Sequence, residues 1–279
     1  MTEQNARSQA TARRILLTIL GEFVLPSEQP VWNATLVEAM MAAGQTEKSA
    51  RQAVLRAAQT GWLAKSRHGK NVSWSLTPMV LELMAEGAQR VYPMNHLARP
   101  WDGQWIILHV SLPDRYRQVR ERLYKALQWA GFGNPSPGLW VCPHTDRQDE
   151  VGRVIRGLDL SEVVFTFVGS SLSVGATDQR MVQLSWDLEQ VSRHYKKLLR
   201  EIGEHEYDHD KVLAHYLHLL TEWEKLPLID PRLPNALLPA EWDGQHLAAQ
   251  LGDLVNKWRE PARRRWKEIA DKLPQPGAR

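Results

Sequence analysis

The chain has a single cysteine, Cys142, so no internal disulfide can form and a reducing compartment is expected. It lacks any apolar run near the ~20 residues that a membrane-spanning helix needs. No glycine loop of the Walker or dinucleotide type is present to cradle phosphates. Arg13-Arg14 followed by Ile15-Leu16-Leu17 imitates a twin-arginine export signal, yet Gly21-Glu22 breaks the run and no small-residue cleavage site follows. The better reading is the buried face of an N-terminal helix, with the protein in the cytoplasm. Neither sign of charge dominates: 35 Lys and Arg stand against 32 Asp and Glu, a net +3.

What the chain does have is enough apolar material for folded cores. Its 279 residues are 43% hydrophobic and 24% charged, which excludes wholesale disorder and suggests two or three cores. Twelve tryptophans supply large anchors for them. The charge balance is positive in the first ninety residues and slightly negative toward the C-terminus, so a polyanionic partner is expected at the N-terminal end.

Residues 1–92 read as three helices and a hairpin. Ala12, Ile15, Leu16, Ile19 and Leu20 form one helical stripe, and Leu36, Val37, Met40 and Met41 a second, with Asn33 expected to cap its start and Gly44 to end it. Thr46 should cap a third helix, whose inner face is Ala50, Ala53, Val54, Ala57 and Ala58 and whose stop is Gly61. Two strands, Leu63 to Arg67 and Asn71 to Leu76, turn around His68-Gly69-Lys70, and Thr77-Pro78 opens another helix. Between Thr46 and Leu76 sit Lys48, Arg51, Arg56, Lys65, Arg67 and Lys70, opposed by Glu47 alone. Helix, turn, helix and a basic two-stranded wing is the pattern of a winged helix, which lays one helix in the major groove and the wing along phosphates. The candidate DNA contacts are therefore Lys48, Ser49, Arg51, Gln52 and Arg56 on the helix, and Arg67, His68 and Lys70 in the wing. Lys48, Arg51 and Gln52 are expected to face base edges, and Arg56, Arg67 and Lys70 phosphates.

Residues 93–175 alternate strands and helices: Ile106 to Leu112, a helix from Arg115 to Ala130 stopped by Gly131, a pairing segment near Phe132, Leu139 to Cys142, a helix from Gln148 to Arg156, then Val163 to Val168. This β-α-β-β-α-β order predicts a ferredoxin-like domain. Residues 176–279 are expected to be mostly helical, with helices from Trp186 to Ile202 and Lys211 to Lys225. Prolines 227, 231, 234 and 239 should keep the passage between Pro227 and Pro239 free of helix. The overall class is α+β.

Other groupings point to blander roles. His205, His209, His215 and His218 lie among carboxylates at spacings zinc accepts, but Gly203 and the dense charge suggest a solvated connector, so no metal is expected. Cys142 has no base-and-orienter set nearby and reads as a buried strand-end residue. Arg263, Arg264, Arg265 and Lys267 read as a solvated helix face, with an auxiliary role toward the phosphates of a ligand or of DNA as the alternative. Trp101, Trp105, Trp140, Trp186 and Trp223 are core anchors first and lining for an aryl pocket second.

Three motif groups in order resemble the PaaX family of bacterial transcriptional repressors, which control phenylacetic acid degradation. The first is Ser49 to Arg56 with Gly61-Trp62-Leu63, Gly69-Lys70 and Leu76-Thr77. The second is Trp101-Asp102-Gly103-Gln104-Trp105, Leu112-Pro113-Asp114, Gly131-Phe132-Gly133 and Pro137-Gly138-Leu139-Trp140-Val141. The third is Asp230-Pro231-Arg232-Leu233-Pro234, Leu237-Leu238-Pro239 and Trp242-Asp243-Gly244. The resemblance runs from about Ala12 to Leu254. It implies a homodimer on double-stranded operator DNA, released by an aryl-acetyl-CoA effector, typically phenylacetyl-CoA, and a C-terminal domain concerned with ligand and dimer. It also implies a middle domain similar to the small nuclease of CRISPR spacer acquisition. The aspartate that binds metal in that nuclease corresponds here to Ser111, a poor hard-cation ligand, so nuclease chemistry and a resident cofactor are not expected. Glu224 stands where the family more often has arginine. The sequence does not name the effector-binding residues. The rival readings are a metal-dependent nuclease, an acyl-CoA-handling enzyme and an architectural DNA binder.

Overall fold

The stripe that runs through the first helix explains where the first core forms. Ala12, Ile15, Leu16, Ile19 and Leu20 recur at three- and four-residue spacing, and in the computed structural model all five are buried along or just beyond α1 (Glu3–Ile19). The structure describes residues 3–91, 100–172, 174–203 and 208–272. Past α1 the chain makes one π turn, Leu20–Val24, in which the amide of Leu25 reaches back five residues to the carbonyl of Leu20. The contacts divide the chain into two units, one of 1–95, 197–224 and 248–279, the other of 96–196 and 225–247. The C-terminal third of the sequence is shared between them.

In the first unit, α1 packs on α2 (Asn33–Ala42) and α3 (Glu47–Gln59). Thr46 caps α3 as its sequence predicts: its hydroxyl accepts the amide of Ser49 at 3.2 Å, which contributes about 1 kcal/mol. The inner face of α3 is Ala50, Ala53, Val54 and Ala57, all buried, and these small side chains let the helices approach closely. Asn33 does not cap α2. It is the first helical residue, Trp32 holds the cap position, and Asn33 Oδ1 accepts the indole N–H of Trp74 at 3.1 Å. That indole would otherwise be a buried donor without a partner, so cross-packing outcompetes the cap.

Trp32 belongs to β1 (Val31–Trp32), a two-residue strand too short for a sequence pattern. It pairs with β3 (Asn71–Leu76), which pairs in turn with β2 (Leu63–His68), both antiparallel. His68 faces Asn71 across a two-residue turn, Gly69-Lys70, with Gly69 at φ +62. A glycine with positive φ at the first turn position matches the twist of the strands. Helix α4 (Pro78–Val91) starts on proline, as expected.

The second unit is built on a four-stranded antiparallel sheet of order β5-β6-β4-β7: β4 (Trp105–Val110), β5 (Gly133–Ser136), β6 (Leu139–Cys142) and β7 (Val164–Gly169). The faces separate by strand alternation. Ile106, Leu108, Val110, Trp140, Cys142 and Val164 pack with Leu123 and Leu127 of α5 (Arg117–Trp129) and Val151 and Ile155 of α6 (Gln148–Gly157). Trp105, Ile107, Leu139 and Val141 point the other way, onto Val182 of α7 (Asp178–Ser185) and Leu233 and Leu237 of the proline-rich passage. Trp105 is fully buried, a contribution on the order of 4 kcal/mol before entropy. Its indole donates to Asp178 at 2.9 Å.

Helix α7 is absent from the sequence expectation, and the helix expected from Trp186 starts later, as α8 (Leu188–Gly203). Trp186 is extended, and its ring lies 2.7 Å from where a Cβ on Gly133 would stand. Only glycine lets β5 approach it. The proline passage is not free of helix either. Pro227 lies in the first turn of the short α10 (Leu226–Ile229), where its missing amide costs nothing, and Asn235–Leu237 forms a 3-10 turn. The remaining helices are α9 (Val212–Trp223) and α11 (Gly244–Ala270).

Candidate nucleic-acid interface

With its alanine face turned inward, α3 presents Lys48, Arg51, Gln52, Arg56 and Gln59 to solvent, all exposed. Ser49 lies at the margin, half-buried, its hydroxyl 3.4 Å from Gln45 Oε1. Arg51 is not idle. Its Nε and Nη2 donate to Glu47 Oε1 at 2.8 and 2.6 Å, one turn earlier on the same helix. Among these polar groups stands Leu55, 54% exposed. Sequence reasoning passed over it because it asked only for charge; the signal was its position, five residues beyond Ala50 and off the buried stripe.

In the hairpin, Lys65, Arg67 and Lys70 are exposed, Lys70 at the turn itself. His68 is more committed: its Nε2 lies 3.1 Å from the hydroxyl of Ser73, and its ring meets the edge of Trp32 at 5.2 Å. All eight sequence candidates thus fall on α3 or the β2–β3 hairpin of the first unit. Arg13, set aside in the sequence as part of a false export signal, places its guanidinium 4.4 Å from the centroid of the Trp62 ring.

Two buried polar groups lie elsewhere. In the first unit the buried Glu22, within the π turn, meets Arg263 at 3.2 Å and Arg259 at 3.8 Å. Glu224, just past α9, accepts the hydroxyl of Thr18 at 2.7 Å. Burial pushes its pKa up to about 7, with the Glu22 carboxylate adding to the rise and Thr18 and Arg14 opposing it. In the second unit Asp230 accepts the phenol of Tyr195 at 2.8 Å and the amide of Arg232 at 2.7 Å. Arg232 has φ +54, a strained backbone for a side chain of its size, held by that carboxylate. His144 reaches the carbonyl of Pro231 at 3.2 Å, and burial followed by Arg147 lowers its pKa to about 4.

The tryptophans divide. Trp101, Trp105 and Trp186 cluster in one core, at 5.4 and 6.4 Å between ring centroids, Trp140 packs on Tyr124 beneath the opposite sheet face, and Trp223 lies in the first unit. Cys142 is buried. Ser111 follows directly on β4. His205 lies outside the described residues; His209 pairs with Glu268 at 3.0 Å, and among the described residues no three His, Cys, Asp or Glu are grouped to hold a metal. Of the C-terminal basic run, Arg263 and Arg265 are tied to carboxylates on neighbouring elements, Glu22 and Asp210. No described helix is long and apolar enough to cross a membrane.

Comparison with known proteins agrees in chain order. Residues 11–80 match the family described as PaaX-like protein, 98–182 the PaaX protein central Cas2-like domain, and 186–268 the PaaX-like protein C-terminal domain. The transcriptional repressor PaaX of Escherichia coli is 27% identical over 250 residues, 85% of this chain and 77% of that protein. A solved structure, the uncharacterized protein Rv0674 from Mycobacterium tuberculosis, superposes with a TM-score of 0.62 over 94% of this chain and 99% of that one, at 21% identity, which speaks for the fold alone. With its motifs in order, its three segments matched and a repressor among its relatives, the chain belongs to the PaaX family.

Proposed function

We propose that this protein is a DNA-binding transcriptional repressor of aromatic, specifically phenylacetic acid, catabolism. It acts in the cytoplasm as a homodimer on operator DNA and is released by an aryl-acetyl-CoA such as phenylacetyl-CoA. The observation that carries this reading is the exposed face of α3 beside a basic hairpin, on a chain whose relative is a named repressor. We take residues 1–92 as a winged helix, 93–175 as a ferredoxin-like domain and 176–279 as the helical part that serves ligand and dimer. In this arrangement α3 lies in the major groove, Lys48, Arg51 and Gln52 meet base edges, and Arg56, Arg67 and Lys70 meet phosphates. Ser49 and His68 sit at the margins of the same contact. Leu55 adds an apolar surface that suits the methyl group of thymine.

The role is binding rather than catalysis. At the end of β4 a serine hydroxyl stands where a metal-dependent nuclease needs a carboxylate. The effector acts by preferring one of two spacings between paired reading helices, about 34–36 Å or a multiple in the DNA-bound state.

Gel retardation tests the reading. Fragments selected from genomic DNA should be retained by the protein, released by phenylacetyl-CoA, and left intact with magnesium. Arg51→Ala should relax sequence preference, and Lys70→Ala should weaken all duplexes alike and flatten the salt dependence. Unchanged retention in both variants, or cleavage of the DNA, overturns the assignment.

A further inference from the structure

A cleft of about 370 Å³ opens in the first unit where α3 runs beside α1. Its buried side is apolar: Ala12 of α1, Ala53 and Ala57 of α3, and Trp62. Its exposed side carries Arg13 and Arg56, with Gln52 and Gln59 as further donors, while the Thr60 hydroxyl turns back to donate to the Arg56 carbonyl at 3.0 Å. Arg56, Gln59 and Thr60 follow Gln52 at three- and four-residue spacing, so they line one flank of the helix, with Gln52 at the border between that flank and the base-facing side.

Three features give this flank a chemistry. Among the described residues no carboxylate pairs with Arg13 or Arg56, in contrast to Arg51 with its Glu47. The Arg13 guanidinium sits over the Trp62 ring, its carbon 4.4 Å from the ring centroid, and the ring contact leaves N–H donors for an anion. A cation already held in place loses less conformational freedom when it meets an anion. Finally, no described residue in the cleft's lining is a carboxylate, and its alanine wall suits the apolar side of a sugar.

Geometry supplies the anion. A helix about 10–12 Å across nearly fills a major groove about 12 Å wide, so its flanks meet the phosphate strands that border the groove. We propose that the α1–α3 cleft seats one phosphodiester and its deoxyribose, with Arg13 and Arg56 as its two cationic contacts. Arg13 is thereby assigned as a DNA-contacting residue outside the recognition helix and the wing. The cleft volume exceeds a bare phosphate and accommodates a sugar–phosphate unit. This assignment rests on α3 being the reading helix, and adds to it a contact that fixes how far the helix slides along the groove.

The test scans a selected duplex with single methylphosphonates, which remove one backbone charge each without altering the bases. Binding is read by fluorescence anisotropy at several salt concentrations. For the wild-type protein, one position flanking the α3 half-site should lose about tenfold in affinity when neutralised. Arg13→Gln changes both protomers of the dimer, so it should lose about a hundredfold, reduce the log–log salt slope by about 1.8, and abolish the sensitivity at that position in each half-site. Arg13→Lys should restore part of the affinity, because it keeps charge without the planar fork. If Arg13→Gln binds like wild type with an unchanged methylphosphonate profile while Lys70→Ala weakens binding, the cleft assignment is wrong and the reading of α3 stands. If the wild-type protein retains no duplex, the reading of α3 fails and the cleft assignment falls with it. The methylphosphonate arm uses unmodified protein, so a folding defect in the variant does not obscure the outcome.

Discussion

Arg51 and Glu47 form an ion pair one helical turn apart, Nη2 to Oε1 at 2.6 Å, on the face of α3 assigned to DNA. The pair is exposed, at 62% and 54%, so it contributes only about 0.3–0.5 kcal/mol. A bidentate contact to guanine contributes about 1–3 kcal/mol of discrimination, so Arg51 exchanges partners with a net gain when the right base is present. Glu47→Gln removes the competitor and an acidic charge near the phosphates. Titrations with the selected duplex should show at least about twofold tighter binding. Weaker binding in this variant would show Glu47 to be a contact in its own right and sink the exchange.

Leu55 gives a prediction of a different kind. A single leucine 54% exposed is ordinary on a protein surface, but on the face of α3 assigned to DNA its apolar end has a favourable partner in the methyl group of thymine. Replacing each thymine of the selected site by uracil deletes its C5 methyl and nothing else. One replacement should cost the wild-type protein roughly fourfold, the equivalent of about 0.8 kcal/mol for one buried carbon. Leu55→Ala should bind more weakly than wild type and be indifferent to that same replacement. Equal uracil profiles in the two proteins would remove Leu55 from base reading.

Much of this arrangement was legible in the sequence, for identifiable reasons. The α3 face could be read because Thr46, the alanine stripe and Gly61 all specify one helix in one register. The sheet of the second unit followed from strand alternation, as in Ile106, Leu108 and Val110. What escaped depends on contacts far apart in the chain. Nothing local marks Asn33 as the acceptor for Trp74 rather than a cap, and β1 has only two residues. Arg13 sits in a pattern that mimics a targeting signal, and its cleft exists only once α1 and α3 pack. Two of the motifs behind the family resemblance turn out to tie the second unit together. Asp102 accepts the Gln104 amide and the Thr145 hydroxyl, and Asp230 accepts Tyr195 and Arg232.

That second hub yields a stability prediction. Tyr195 is fully buried and its phenol is raised well above its usual pKa by burial and by Asp230, so it stays a donor throughout the working range. Tyr195→Phe leaves the Asp230 carboxylate short of one donor at a site where burial already disfavours its charge. The loss should be about 1–3 kcal/mol, read as a lower midpoint in urea unfolding. Asp230→Asn should cost less in the Tyr195→Phe background than alone, because the two groups act on one bond. Simple additivity of the two losses would argue against that coupling.

Glu224 sets a pH dependence whose sign is opposite to that of an ordinary salt-bridged carboxylate. Its carboxyl faces Thr18 and Arg14 of α1 and the Glu22 carboxylate of the π turn, and Glu22 in turn is held by Arg259 and Arg263 of α11 and lies beside Tyr216 of α9. Burial is the largest cause of the raised value, so the folded protein keeps a proton up to about pH 7 that the unfolded chain releases near 4.5. Where the folded state binds more protons, stability falls as pH rises. The contribution is therefore neutral below about 4.5 and grows more unfavourable through the window up to about 7. Above that it is complete, at roughly 3 kcal/mol. Glu224→Gln keeps an acceptor for Thr18 and carries no charge. Thermal melts should show the variant matching wild type near pH 4 and exceeding it by several degrees at pH 8. A constant difference across that range would mean that Glu224 does not titrate between 4.5 and 7 in the folded protein.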